Sequence, residues 1–418
     1  LSATPQEDAT IHVADKVTES NQEFLKQIKR IYQGDSGLVP ILIGLAGLVI
    51  YFQIRSSVFL SAGNITNLFV QATIFILLGM AEIWLLLMGD IDLSAGYMAG
   101  VSGAVAVILT NTVHHWPWFV VLPLAVFITS MIGAIWGTIV IRLKLPSFIV
   151  TLAGLLILEG VLLYLIDSQG NSGGSLPVQE KVLYNLVNGN LTPLATWLFV
   201  GAAVVVLGLM MLGADRNRRV NGLETRPGWV TIAKIIALAL AGVALVLIFN
   251  TNRSTFTNLT GMPFAIPIDM AVLAVGTFIL TKSRAGRYIY AIGGNVEAAR
   301  RAGINVNRYR LLAFMLSGAT SGVAGLLYVS RLNGISSGIE GGTYVLYAVA
   351  AAVIGGTSLF GGRGKMIHAV IGGIVIATIA NGLALINVSP SGLYVVTGLV
   401  LLAAVTVDSV ARSGSASR

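Results

Sequence analysis

The sequence has no cysteine, four histidines and charged side chains at only 11% of its 418 positions. Without cysteine there are no disulfides, thiolate metal sites or cysteine nucleophiles, and the redox compartment stays open. The histidines, His12, His114, His115 and His368, form no His-Glu-x-x-His pair, and His114 and His115 sit beside Trp116, as in an aromatic belt at a membrane boundary. There is no nucleophile elbow and no credible Ser-x-x-Lys setting, so an enzyme is not expected. The scarcity of charge excludes most soluble proteins, which carry roughly 25% charged residues.

What is present in quantity is apolar: 55% of the side chains, with a mean hydropathy of +0.84. A bilayer core about 30 Å thick takes about 20 helical residues to cross. Twelve stretches qualify, near 37–54, 68–88, 95–113, 117–141, 147–167, 193–213, 230–250, 264–281, 309–329, 343–360, 366–387 and 392–409. None alternates with period two, which excludes a barrel. The expectation is an all-α polytopic membrane protein with about 12 transmembrane helices. Its single membrane domain runs over 37–410, between a cytoplasmic segment 1–36 without signal-peptide features and a cytoplasmic tail 411–418.

The net charge of +8 could suggest nucleic acid, but no basic face of a soluble fold exists to carry it, and no nucleic-acid partner is expected. Placed along the chain, 22 of the 26 Lys and Arg fall on one side of the alternating spans, leaving Arg55, Lys181, Arg253 and Arg331 on the other. The positive-inside rule then puts both termini in the cytoplasm and makes 168–192 the longest outer loop, opening on flexible Gly and Ser.

"GRYIYAIGGNVEAARRAG", residues 286–303, gathers four of the few charges on the inner side. It reads as a basic loop with a short interfacial helix over 296–302. Asn295 suits the N-cap, Glu297 the first turn, Arg300 and Arg301 the last turn, and Gly303 the C′ stop. Ala298, Ala299 and Ala302 keep that helix thin enough for a partner's groove. An ordinary basic loop is the alternative.

"EAARRAG" fits the Glu-Ala-Ala-x-x-x-Gly pattern of bacterial ABC importer permeases. With "RAGRYIYAIGGNVEAARRAGINVNRYR", "AFMLSGATSGVAGLLYVSRL", "AAVIGGTSLFGGRGKMIHAVIGG" and "DIDLSAG", the chain resembles the monosaccharide permeases of the ribose and xylose systems. The likeness covers most of 38–410, is most specific over about 284–365 and is much weaker before residue 60. A pair of spans near 193–250 is similar to the longer xylose branch. The resemblance implies an ABC importer permease fold and a loop, about 282–308, that docks on separate ATPase subunits through Arg287, Gly294, Asn295, Glu297, Ala298, Ala299, Arg300, Arg301 and Gly303. It further implies a second copy of the chain, a substrate-binding protein that delivers a monosaccharide, and ATP and Mg bound by the ATPases, with no cofactor in this chain.

Ionisable residues within spans are costly and are functional candidates by default. "MGDIDLSAG", 88–96, puts Asp90 and Asp92 between two spans. Either this is a solvated turn whose Asp92 or Ser94 caps the next helix, or it lies on the substrate path or gate. The family pattern here is Gly-Gly-Ile-Asp-Leu-Ser-x-Gly, so Asp92, Ser94 and Gly96 carry over while Asp90 replaces a glycine. Glu82 and Glu159 within spans could face a polar cavity, pair with a helix dipole or sit protonated. Asn381 suits the path or an interhelical hydrogen bond.

"GGTSLFGGRGKM", 355–366, is not a P-loop, because Leu359 stands where the first glycine should be and Met366 replaces the Ser/Thr. The spacing Gly89-x3-Leu93-x2-Gly96 recurs as Gly355-x3-Leu359-x2-Gly362, a hint of internal repetition. An ion-coupled secondary transporter of a small polar solute is the alternative function, kept open by Glu82 and Glu159.

Overall fold

The computed structural model describes residues 38–170, 174–222, 228–255, 257–389, 391–392, 394–399, 402 and 406. The expected segment 1–36, the tail 411–418 and much of the expected span 392–409 lie outside the described residues. The chain divides into two units, Leu1–Tyr51 and Phe52–Arg418, and the first is described only where helix α1 (Leu38–Arg55) begins.

In the second unit follow α2 (Ala62–Leu86), α3 (Ala95–Leu109), α4 (Trp118–Leu143), α5 (Ser147–Asp167), β1 (Ser175–Pro177), α6 (Lys181–Asn188), α7 (Pro193–Val220), α8 (Gly228–Asn250) and α9 (Ala265–Lys282). They continue as α10 (Arg284–Gly294), α11 (Val296–Arg301), α12 (Val306–Leu332), β2 (Gly334–Ser336), α13 (Gly341–Ile354) and α14 (Met366–Leu385). Eight of the described helices are long and apolar enough to cross a membrane, and Pro40–Arg55, Ala95–Leu109 and Gly341–Ile354 are shorter apolar helices. Eleven of the twelve expected spans fall on these.

Helices α2, α12 and α14 form the buried centre, whereas α4, α5, α7, α8 and α9 leave most of their apolar surface uncovered. Phe119, Ile135, Leu198, Leu209, Leu240 and Phe278 are each more than half exposed. In water such a surface drives association; in hydrocarbon it is solvated. With lipid outside, nothing hydrophobic pulls the helices together, so close packing of small residues must do it. Helix α12 supplies that face. A Cβ on Gly318 would lie 2.2 Å from the Thr129 carbonyl oxygen of α4, and one on Gly325 2.0 Å from that of Ala99 on α3. Ser102 donates to the Gly322 carbonyl at 2.8 Å and Ser130 to that of Met315 at 3.1 Å, joining the same helices.

Two expected spans end early. The stretch 95–113 is helical only to Leu109, and 343–360 gives α13, which starts at Gly341 and stops at Ile354. At 15 and 14 residues these helices are about 21–23 Å long, short of a bilayer core. Gly356, at φ +109°, ends α13 in a conformation that resists a side chain. Loop 87–94 leads into α3 and is mostly buried; loop 355–365 follows α13 and is part-buried, with Phe360, Arg363 and Lys365 exposed. Irregular backbone packed inside protein needs partners there. Accordingly the N–H groups of Ile91 and Leu93 donate to Ser147 Oγ (3.3 Å) and Thr151 Oγ1 (3.1 Å) of α5, and that of Gly362 to the Leu87 carbonyl (2.9 Å).

The expected outer loop 168–192 contains regular structure from residue 175 on. β1 pairs antiparallel with β2, and α6 turns Leu183 and Val187, four residues apart, into the protein. Ser330 of α12 pins α6, accepting from the Val187 N–H (2.9 Å) and donating to the Tyr184 carbonyl (2.8 Å).

Candidate functional site

The basic stretch forms two helices where the sequence suggested one. Ser283 caps α10 by accepting from the Gly286 N–H at 3.1 Å, and Ile289 and Ile292, three apart, anchor its inner face. Tyr290 reaches back to donate to the Gly364 carbonyl at 2.6 Å, and burial pushes its phenol above the ordinary value, which keeps the proton on this donor. The expected second helix is α11. Asn295 accepts from the Ala298 N–H at 2.9 Å. At the other end Ile304 N–H bonds the Ala299 carbonyl and Gly303 N–H that of Arg300, with Gly303 at φ +80°, which is a Schellman stop. Only Ala299 is buried in α11, while Glu297, Ala298, Arg300 and Arg301 are exposed, as are Arg287 and Gly294. Glu297 and Arg300 are paired at 2.7 Å, but with both more than half in solvent the bond is worth little.

Beneath α10 the chain makes a three-way backbone junction. A Cβ on Gly293 would lie 1.7 Å from the Leu87 carbonyl oxygen and 2.6 Å from Gly362 N, so the end of α10 rests directly on loops 87–94 and 355–365. The two places that share the Gly-x3-Leu-x2-Gly spacing therefore meet here.

Asp90 is buried, and Arg310, in the second turn of α12, grips its carboxylate with two groups: Nε donates to Oδ2 at 2.6 Å and Nη2 to Oδ1. Two residues on, Asp92 is fully buried. Its Oδ1 accepts from the Ser94 N–H (3.0 Å) and hydroxyl (2.5 Å), and its Oδ2 from Ser317 Oγ of α12 (3.3 Å). The Asp92 N–H points at Glu82 Oε2 (3.4 Å), and Glu82 Oε1 is buried with no partner among the described residues. The solvated turn is thus excluded, and neither Asp92 nor Ser94 is a plain cap, since no side chain bonds the first turn of α3.

Glu82, Asp90, Asp92 and Ser94 are brought together; Glu159 and Asn381 belong elsewhere. Glu159, half-buried on α5, bonds Tyr97 of α3. Asn381 exchanges amide hydrogen bonds with Asn64 of α2 at 2.9 and 3.0 Å, the interhelical alternative. Sequence reasoning missed Arg310, Ser317 and Tyr290. Arg310 stands 220 residues from Asp90, a separation over which no spacing rule operates.

The Asp92 geometry yields a stability order. Asp92→Ala leaves buried donors unsatisfied and should destabilise the protein by ~1–3 kcal/mol. Asp92→Asn keeps both Oδ1 bonds and offers Ser317 a donor, so it should unfold close to wild type. Thermal unfolding in detergent checks this order, and equal losses in both variants would contradict it.

The long apolar helices define a polytopic helical membrane protein. The chain belongs to the family described as branched-chain amino acid transport system / permease component, which matches residues 64–405. It is 32% identical over 413 residues to the xylose transport system permease protein XylH of Escherichia coli (strain K12), covering 96% of this chain and 100% of that one. The XylH protein of Haemophilus influenzae is 34% identical over 375 residues, 88% of this chain and 95% of the relative. The D-allose transport system permease protein AlsC of Escherichia coli (strain K12) is 30% identical over 361 residues, 86% and 88% of the two chains. No solved structure matches this chain.

Proposed function

We propose that this chain is the membrane subunit of an ATP-driven importer and that it carries a monosaccharide, a pentose of the xylose type, handed over by a separate binding protein. The likeness to XylH over the full length of that relative carries this reading. ATPases on other chains dock on the exposed face of α11, two copies of this chain enclose the path, and both termini lie in the cytoplasm. ATP and Mg sit on the ATPases. Docking moves α10 and α11, and the shift passes to loops 87–94 and 355–365 through Gly293, Tyr290 and the Arg310–Asp90 pair, opening the path alternately to the two sides.

Co-reconstitution with the neighbouring ATPase and binding protein tests this. Uptake of D-xylose should require ATP and the loaded binding protein. Gly303→Val forces a β-branched side chain into positive φ and should abolish stimulated ATPase while the protein still inserts. Uptake driven by a proton or sodium gradient without ATPase would instead support an ion-coupled transporter.

A further inference from the structure

At the far end of α12 lies a polar cavity that none of the above uses. Arg331 and Arg310 are separated by 21 residues of helix, about 30 Å, which is the thickness of a bilayer core. The cavity has a volume of about 230 Å³ and is lined by side chains of α2, α12, α13 and α14 together with Tyr394. We propose that it is a contact site for a single monosaccharide ring, an inference that rests on the transport function above.

Arg331 and Glu340 both line it, yet neither belongs to an ion pair among the described residues. The Arg331 guanidinium and the Gln71 amide bond no described residue, while Glu340 Oε2 accepts from the Tyr394 hydroxyl at 2.7 Å. Donors and an acceptor thus stand at separate points around one small space. The aromatic lining is held in place by ring contacts: Phe75 stacks on Tyr344 at 5.9 Å and meets Tyr347 edge-on at 5.5 Å, and Tyr344 meets Tyr328 behind it edge-on at 5.4 Å.

A sugar ring has an apolar C–H face and a rim of hydroxyls, each of which both donates and accepts. Aromatic faces with a few separated polar groups match those two parts. The opposite charges of Arg331 and Glu340 balance, which suits a neutral solute. An amino-acid zwitterion could also bridge them, but among the described residues the only aliphatic one lining the cavity is Ala380, which offers a branched side chain little apolar contact. The volume, below the roughly 300–1,000 Å³ of sites for drug-sized ligands, is on the scale of one ring.

Saturation-transfer NMR on the full chain in lipid nanodiscs, with D-xylose, D-ribose and L-leucine as probes, tests the site without ATPase or binding protein. Wild type should saturate the ring protons of a sugar and not those of leucine. Arg331→Gln and Glu340→Gln should each weaken apparent sugar affinity by about tenfold or more, the factor set by ~1.4 kcal/mol. Gln71→Ala, which leaves no charge unpaired, should weaken it severalfold with an unchanged size-exclusion profile. No sugar saturation, saturation by leucine in place of sugar, or wild-type affinity in all three variants would overturn the proposal. Loss of ATP-driven uptake with sugar saturation intact would count against the importer reading and not against this site.

Discussion

Arg310→Glu should abolish ATP-driven uptake and destabilise the protein by roughly 3–5 kcal/mol, the cost of removing one partner from a buried pair. Asp90 keeps almost no solvent exposure, so water cannot take the place of the guanidinium as its partner. Arg310 retains about a third of its side-chain surface in solvent, which sets the loss toward the lower end of that range. With glutamate at 310, repulsion replaces attraction, and loop 87–94 loses its tie to the second turn of α12. Exchanging the charges, Asp90→Arg with Arg310→Glu, should recover part of both stability and uptake, because the two-point geometry depends on which end holds the guanidinium. Thermal unfolding and uptake at equal membrane abundance check it; a swapped variant no better than Arg310→Glu would show that the pair does not act through its charge.

The second large effect is expected at Gly293. The atoms nearest to its missing Cβ, Leu87 O, Leu87 C and Gly362 N, are backbone and cannot swing aside. Since ordinary contact begins at 3.4 Å, a Cβ now 1.7 Å from Leu87 O must force α10 off those loops by well over an ångström. Gly293→Val should therefore cost about 1–3 kcal/mol of packing and lower stimulated ATPase by more than about tenfold. Gly201 of α7 meets nothing within 4 Å and lies far from the docking loop in sequence, so Gly201→Ala should be silent in the same assay. Equal activity of the two variants would remove the three-way junction from the coupling path.

Much of this molecule is legible because its physics is local. Twenty apolar residues in a row have few places to go other than across a bilayer. A cap is likewise written within a single turn, and Asn295, Glu297, Arg300 and Gly303 mark both ends of α11 in the sequence. Hydropathy also marked α3 and α13, but it overran their C-terminal ends, because an average over a window carries the apolar residues of a helix past the turn that stops it.

Loops 87–94 and 355–365, the Arg310–Asp90 pair, the Ser317 bond to Asp92 and the placement of Gln71, Arg331 and Glu340 around one cavity were decided only by the tertiary structure. Each joins residues from helices far apart in the chain, and which faces of those helices meet is set by the fit of small residues such as Gly318 and Gly325 against distant backbone. Local sequence fixes what a segment becomes; that three-dimensional fit alone fixes what it touches.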